Sequence, residues 1–130
     1  MRAVDTNILL RFVVRDDARQ FAKSAAFFER RTSEDPAFVS LIVLAEFVWV
    51  LRHRYGYSRH DVHSLVASLV ETAEIVFEDE VSVLAIVQGQ AKGDLADHLI
   101  SFCAKRAGCK STVTFDRDAA KYVPGMELLA

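Results

Sequence analysis

Cysteine is scarce in this sequence, and the two that occur, Cys103 and Cys109, have neither a second pair nor a CxxC spacing. That excludes a disulfide framework or a thiolate zinc site, and both read as small core residues or free thiols. Long apolar runs are also lacking. A run such as Phe47 to Leu51 is far too short to span a bilayer. Charges at Arg2 and Asp5 leave no room for the apolar core of a signal peptide, so a cytoplasmic protein without a membrane partner is expected. There is no excess of positive charge either. A net charge of −2 argues against a protein that coats nucleic acid, but it leaves open a nuclease whose few cations are local. GxxxxGK, GxSxG and HExxH are all missing.

What is present is one domain's worth of chain, residues 1–130, enough to bury roughly two-thirds of the surface that the unfolded polypeptide exposes. Leu41 to Leu51 is the stretch around which the rest is organised. Ten of its eleven residues are apolar and the other is Glu46, which predicts a buried helix with a carboxylate in a dry place. Burial raises a carboxyl pKa by up to ~3 to 5 units, so an uncompensated charge there would cost ~4 to 7 kcal/mol. An Arg or Lys partner, a proton or a bound cation would have to compensate it.

Short β-leaning runs alternate with helical periodicity along the chain, the pattern of an α/β domain with a mainly parallel sheet. Ala3-Val4 is a brief first strand that stops at Asp5, with Thr6 and Asn7 as turn and N-cap residues of the helix that follows. Ala18 to Phe28 repeats at helical spacing, Ala37 to Val39 is a strand, and Ser40 caps the Glu46 helix. Ser58 caps the next helix, and a third strand at Glu74 to Phe77 leads into a helix running to about Ala91. Lys92-Gly93-Asp94 turns into another helix that Gly108 ends. Ser111 to Phe115 is a strand stopping at Asp116, and a short helix precedes a last edge strand at Met126 to Leu129.

In open α/β sheets, ligands bind beyond the carboxyl ends of the strands, which is where Asp5 and Asp116 fall. Asp94 and Asp97 share the first turn of one helix. With Glu46 these acids form a set that cannot all ionise at close quarters without a cation. An all-oxygen site suits Mg²⁺ or Mn²⁺, and the matching chemistry is metal-assisted phosphodiester hydrolysis. Each acid also has a structural explanation. Asp94 and Asp116 are placed as N-caps, Asp118 suits a first helical turn, Asp97 suits either an exposed turn or a site, and Asp5 suits a turn. Glu46 has the weakest such explanation, because Arg52 and Arg54 lie beyond i, i+4 reach.

Arg11 and Arg15, just after Asp5, are candidate phosphate ligands for RNA. The basic and aromatic residues from Arg52 to His60 suit either an RNA grip or an ordinary helix end. His60 and His63 have the spacing of a chelating pair, on a helix surface expected to be exposed.

V-D-T-N near the N-terminus, the helix L-A-E-F-V-W-V-L, the segment G-D-L-A-D-H-L-I and the strand end T-F-D-R-D together resemble the four landmarks of PIN domains. More narrowly they resemble the VapC-type ribonuclease toxins of toxin-antitoxin pairs. The resemblance implies a three-layer α/β/α sandwich around a mainly parallel sheet, and Mg²⁺- or Mn²⁺-dependent endoribonuclease activity. By position Asp5, Glu46, Asp97 and Asp116 match the family's catalytic and metal-binding acids, with Asp94 and Asp118 matching accessory acids and Asn7 and Thr114 supporting polar residues. It also implies a homodimer and a partner antitoxin. Two rival readings remain at this level. One is a phosphoryl-transfer domain with an aspartyl nucleophile, and the other a non-catalytic PIN-fold interaction module.

Overall fold

A computed structural model of the chain describes residues 1–89 and 92–129. The elements run β1 (Arg2–Ala3), α1 (Thr6–Val14), α2 (Ala18–Glu29), β2 (Ala37–Val39), α3 (Leu41–His53), α4 (Arg59–Val70), β3 (Ile75–Phe77), α5 (Glu80–Gln88), α6 (Leu95–Arg106), β4 (Thr112–Thr114), α7 (Arg117–Tyr122) and β5 (Met126–Leu128). A pair of helices connects each strand to the next as far as β4, and α7 alone joins β4 to β5. Crossovers of this kind return the chain to the same end of the sheet, so every strand pairing is parallel. The result is the α/β sandwich that the alternation of strands and helices predicts. Hydrogen bonding among the described residues divides the strands into two groups, β1-β2-β3 and β4-β5.

Local chemistry starts α3, α4 and α7 at the caps the sequence suggests, and α2 at Asp17, which the sequence reading does not single out. The side chains of Asp17, Ser40, Ser58 and Asp116 accept hydrogen bonds from the N–H groups of Gln20, Val43, Asp61 and Ala119, each such cap contributing ~1 kcal/mol. At α1 the cap is Asp5 rather than Thr6 or Asn7. Its Oδ1 accepts from Thr6 N at 2.8 Å, and the next two residues already belong to the helix. The helix expected to reach about Ala91 ends at Gln88 with Gly89 as its cap, and Ala91 itself lies outside the described residues. A connection that periodicity does not reveal fixes the start of α3: Glu78 Oε1, just past β3, accepts from Leu41 N at 2.9 Å.

The core is organised around α3, which packs against α1, α4 and α6. Leu44, Phe47 and Leu51 are fully buried with Leu9 of α1, Val62 and Val66 of α4, and Leu95 and Leu99 of α6. Each such side chain contributes ~1.5 to 3 kcal/mol.

This same helix overturns one expectation. It is apolar nearly all round, yet only one stripe is buried, formed by Leu41, Leu44, Phe47, Val48 and Leu51. The opposite stripe carries Ile42, 83% exposed, Trp49, 53% exposed, and with them Glu46, which is also exposed. Glu46 therefore keeps its hydration and needs no buried partner. Composition hid the helical period, because the solvent-facing stripe uses Ile and Trp where most surface helices place charges. Cys103 and Cys109 are exposed free thiols and not core residues. Among the described residues, no helix is long and apolar enough to cross a membrane.

Candidate active site

Asp5 ends β1 and Ser40 ends β2, so α1 and α3 leave the same edge of the sheet. Asp5 and Asn7 are exposed and border a pocket of about 570 Å³ whose walls include Arg11, Lys23 and Phe27. The two arginines proposed for phosphate are partly committed. Arg11 donates from Nη1 to Asp16 Oδ1 at 2.8 Å, and Asp16 also accepts from the Tyr55 hydroxyl. The hydrogen bond from Arg11 holds the Asp16 carboxyl below the usual range, and the same bond raises the arginine. Arg15 ends α1 in the left-handed region at φ 60°, with its guanidinium 4.6 Å from the centroid of the Phe21 ring.

At the start of α6 the chain places two carboxylates in very different surroundings. Asp94 occupies the N-cap position, but its side chain makes no cap bond. Instead Oδ1 accepts from Arg52 Nε at 3.1 Å and from Arg59 Nε at 2.8 Å, while His53 Nε2 stands 3.3 Å from Oδ2. Arg52 is fixed in turn by donating from Nη1 to the Tyr57 carbonyl. Desolvation pushes the Asp94 pKa up, but the hydrogen bonds from Arg59 and Arg52 and their charges outweigh it, and the net shift is down. Asp94 therefore ties the end of α3 and the start of α4 to the start of α6. The basic cluster noted in the sequence is largely what holds it, with Arg52, His53 and Arg59 as the members that sequence reasoning did not connect to it. Their partner lies some 35 to 42 residues further along the chain, so no local signal could have found it.

Asp97, one turn on, is half-buried. Desolvation raises its pKa most, and the negative charges of Asp94 and then Asp116 raise it further. Asp116 caps α7 with Oδ1 and is itself oriented by Thr114, whose Oγ1 accepts the Asp116 N–H at 3.0 Å. Asp118 is exposed in the first turn of α7. One more polar group supports the region. Buried His98 donates from Nε2 to the Lys92 carbonyl at 2.8 Å and so pins the 92–94 turn to α6.

The structure thus brings Asp97 close enough to Asp94 and Asp116 for their charges to interact, with Asp94 already neutralised by two arginines. Asp5 and Glu46 stand exposed on α1's start and on α3. Among the described residues, no three of His, Cys, Asp and Glu are grouped to hold a metal ion, and Asp5, Glu46, Asp97 and Asp116 take no part in an ion pair. A hard divalent cation fits this donor chemistry without a full cage. Mg²⁺ keeps several waters and commonly binds through one or two carboxylates, and Asp97 is a desolvated acid beside a second acid that no cation offsets.

The family model described as PIN domain matches residues 2–123. A protein of Aquifex aeolicus (strain VF5) named VapC ribonuclease is 26% identical over 119 residues, spanning 90% of this chain and 88% of that protein.

Proposed function

The chain belongs to the PIN domain family, and on that premise we propose that it is a divalent-metal-dependent endoribonuclease, the toxin of a toxin-antitoxin pair. The observation that carries the reading is Asp97, a half-buried carboxyl whose pKa is raised by desolvation and by Asp94 and Asp116 at the head of α6. A group so placed gains from a cation. The similarity to a VapC ribonuclease supplies the reaction class and supports an antitoxin partner; a homodimer and a cytoplasmic setting belong to the same proposal.

In this reading Asp97 and Asp116 hold the ion, Mg²⁺ or Mn²⁺, and Asp5 on α1 and Glu46 on α3 complete the set of catalytic acids. Bound there, a divalent cation supplies an activated water and charge stabilisation for in-line displacement at a phosphodiester. The protein's own contribution is placement. The Asp94 clamp fixes the first turn of α6 and thereby Asp97, and Thr114 fixes the turn that presents Asp116. Asn7, in the first turn of α1, is a polar neighbour of Asp5, and Arg11 and Arg15 offer positive charge along the same helix. Asp118 remains an accessory acid on α7.

Cleavage of single-stranded RNA in Mn²⁺, with an EDTA control, by the wild type, Asp97→Asn and Glu46→Gln tests this. The wild type should cut and both variants should not. Undiminished cleavage by Asp97→Asn would sink the assignment. The rival reading, an interaction module, draws on the lack of a three-carboxylate group among the described residues. It requires that Mn²⁺ leave the unfolding temperature unchanged.

A further inference from the structure

We propose that the pocket between α4, the end of α5, the 92–93 turn and α7 is a subsite for one nucleotide of single-stranded RNA, alongside the candidate active site. The inference rests on the nuclease reading above. The cavity measures about 620 Å³, within the ~300 to 1,000 Å³ typical of small-ligand sites. Its less exposed lining is apolar, from Ala67, Val87 and Tyr122, and its exposed lining carries the cations Arg59 and Lys92 together with His60. An apolar wall with an aromatic ring suits a base, and exposed cations beside it suit the phosphate.

His63 adds an observation of another kind. Its Nδ1 lies 2.8 Å from the Arg59 carbonyl, which can only accept, so Nδ1 carries the proton. When the ring is neutral Nε2 is then a bare acceptor; it has no partner among the described residues, and His63 is among the residues that line the pocket. An acceptor left unmet is costly, and a ligand that donates to it after a small shift of the ring toward the pocket removes the cost. An internal adenylate residue of RNA offers two such donors, the 2′-hydroxyl and the exocyclic amine of the base.

The pocket is also joined to the acids. Arg59 lines it and at the same time donates to Asp94, so a nucleotide bound there would sit on the other side of one guanidinium from the head of α6. Gly93 shapes the shared wall. It is buried at φ +99°, and a Cβ in its place would come within 3.0 Å of Val123 Cγ2.

Fluorescence anisotropy with 5′-fluorescein-labelled octaadenylate in EDTA, where no cleavage occurs, tests the subsite directly. Lys92→Ala and His63→Phe should each weaken binding about fivefold to tenfold, with the salt dependence shallower in Lys92→Ala. Lys105→Ala, on the last turn of α6, should bind as the wild type does. If the 2′-hydroxyl is the donor, deoxyoctaadenylate should bind more weakly than the RNA and His63→Phe should abolish the difference. If the amine is the donor, an octamer of purine riboside, which lacks it, should show that behaviour. Wild-type affinity in both Lys92→Ala and His63→Phe would overturn the subsite, as would a wild type that binds none of these oligonucleotides. The exposed position of Lys92 keeps the test valid should His63→Phe fold poorly. Failure of the nuclease reading shows elsewhere, as a wild type that cuts no RNA in Mn²⁺, and leaves the binding result standing.

Discussion

Asp94 and Asp97 are the same residue type, three positions apart at the head of one helix, and their surroundings push them in opposite directions. Asp94 faces the end of α3 and the start of α4, where two guanidinium groups reach it, and its carboxyl is held below the ordinary range. Asp97 faces Asp116 and the helix's buried side, and its carboxyl is held above that range. A three-residue step along a helix turns a side chain by roughly 300°, enough to move it from a cationic surface to an acidic one. One carboxylate has been spent on architecture, and the other is left in want of a cation. The comparison predicts that substituting the two should produce opposite losses.

The largest effect is expected in catalysis. Asp97→Asn should lower RNA cleavage at least about a hundredfold, since several kcal/mol of transition-state stabilisation would go with the ion. The same variant in EDTA at pH 7 should unfold at or above the wild-type temperature, because a disfavoured charge has been removed. Asp94→Asn should do the reverse. Breaking a largely buried, arginine-bonded carboxylate should cost about 2 kcal/mol, less than a fully buried pair because Arg59 is 42% exposed. Thermal unfolding would register this as a fall of roughly 5 to 12 °C. If Asp94→Asn were neutral in stability and Asp97→Asn damaging, the assignment of roles would be inverted.

A smaller effect separates the two by ligand rather than by fold. For a site with a dissociation constant near 1 mM, addition of 10 mM Mn²⁺ should stabilise the wild type by about 1.4 kcal/mol. That is a rise of roughly 3 to 8 °C. Asp97→Asn should lose the rise, Asp94→Asn should retain it on a lower baseline, and Asp5→Asn reports whether the exposed acid of α1 joins the same ion. Asn at position 5 keeps a side-chain oxygen to accept the Thr6 N–H, so the cap is preserved and a loss of the Mn²⁺ effect would belong to the charge.

How much of this was legible beforehand follows from the range of each interaction. The strand at Ala37–Val39 and the Ser40 cap are written in four consecutive residues, and the structure has them where the sequence puts them. Asp116 as a cap is equally local. Glu46 was misread because an apolar composition was taken for burial, when α3 exposes Ile42 and Trp49 on the same side as the acid. Asp94 was assigned the nearest available role, the N-cap, but its partners lie in α3 and at the start of α4. The Glu78 bond to Leu41 N is of the same kind. Periodicity reports which face of an element is buried; it is silent on which distant charge will meet it.

The smallest predicted effect is a difference in where two pH titrations close. In EDTA, Asp97 holds its proton to higher pH in the folded chain than in the unfolded one, so the folded state binds more protons and stability from this group falls as pH rises through the raised pKa. Ionised Asp97 is therefore a liability at pH 7, and the advantage of Asp97→Asn over the wild type should disappear as pH is lowered through a point above 3.8, the ordinary value for this acid. Asp94 has the opposite sign. Its stabilisation is present above 3.8 and is lost only as pH falls through its depressed pKa, so the deficit of Asp94→Asn should persist to lower pH and close last. Urea unfolding of the three proteins between pH 3 and 7 would order the two events. Closure of both differences at one pH would mean that the carboxylates titrate as a single unit and that the arginine clamp does not separate them.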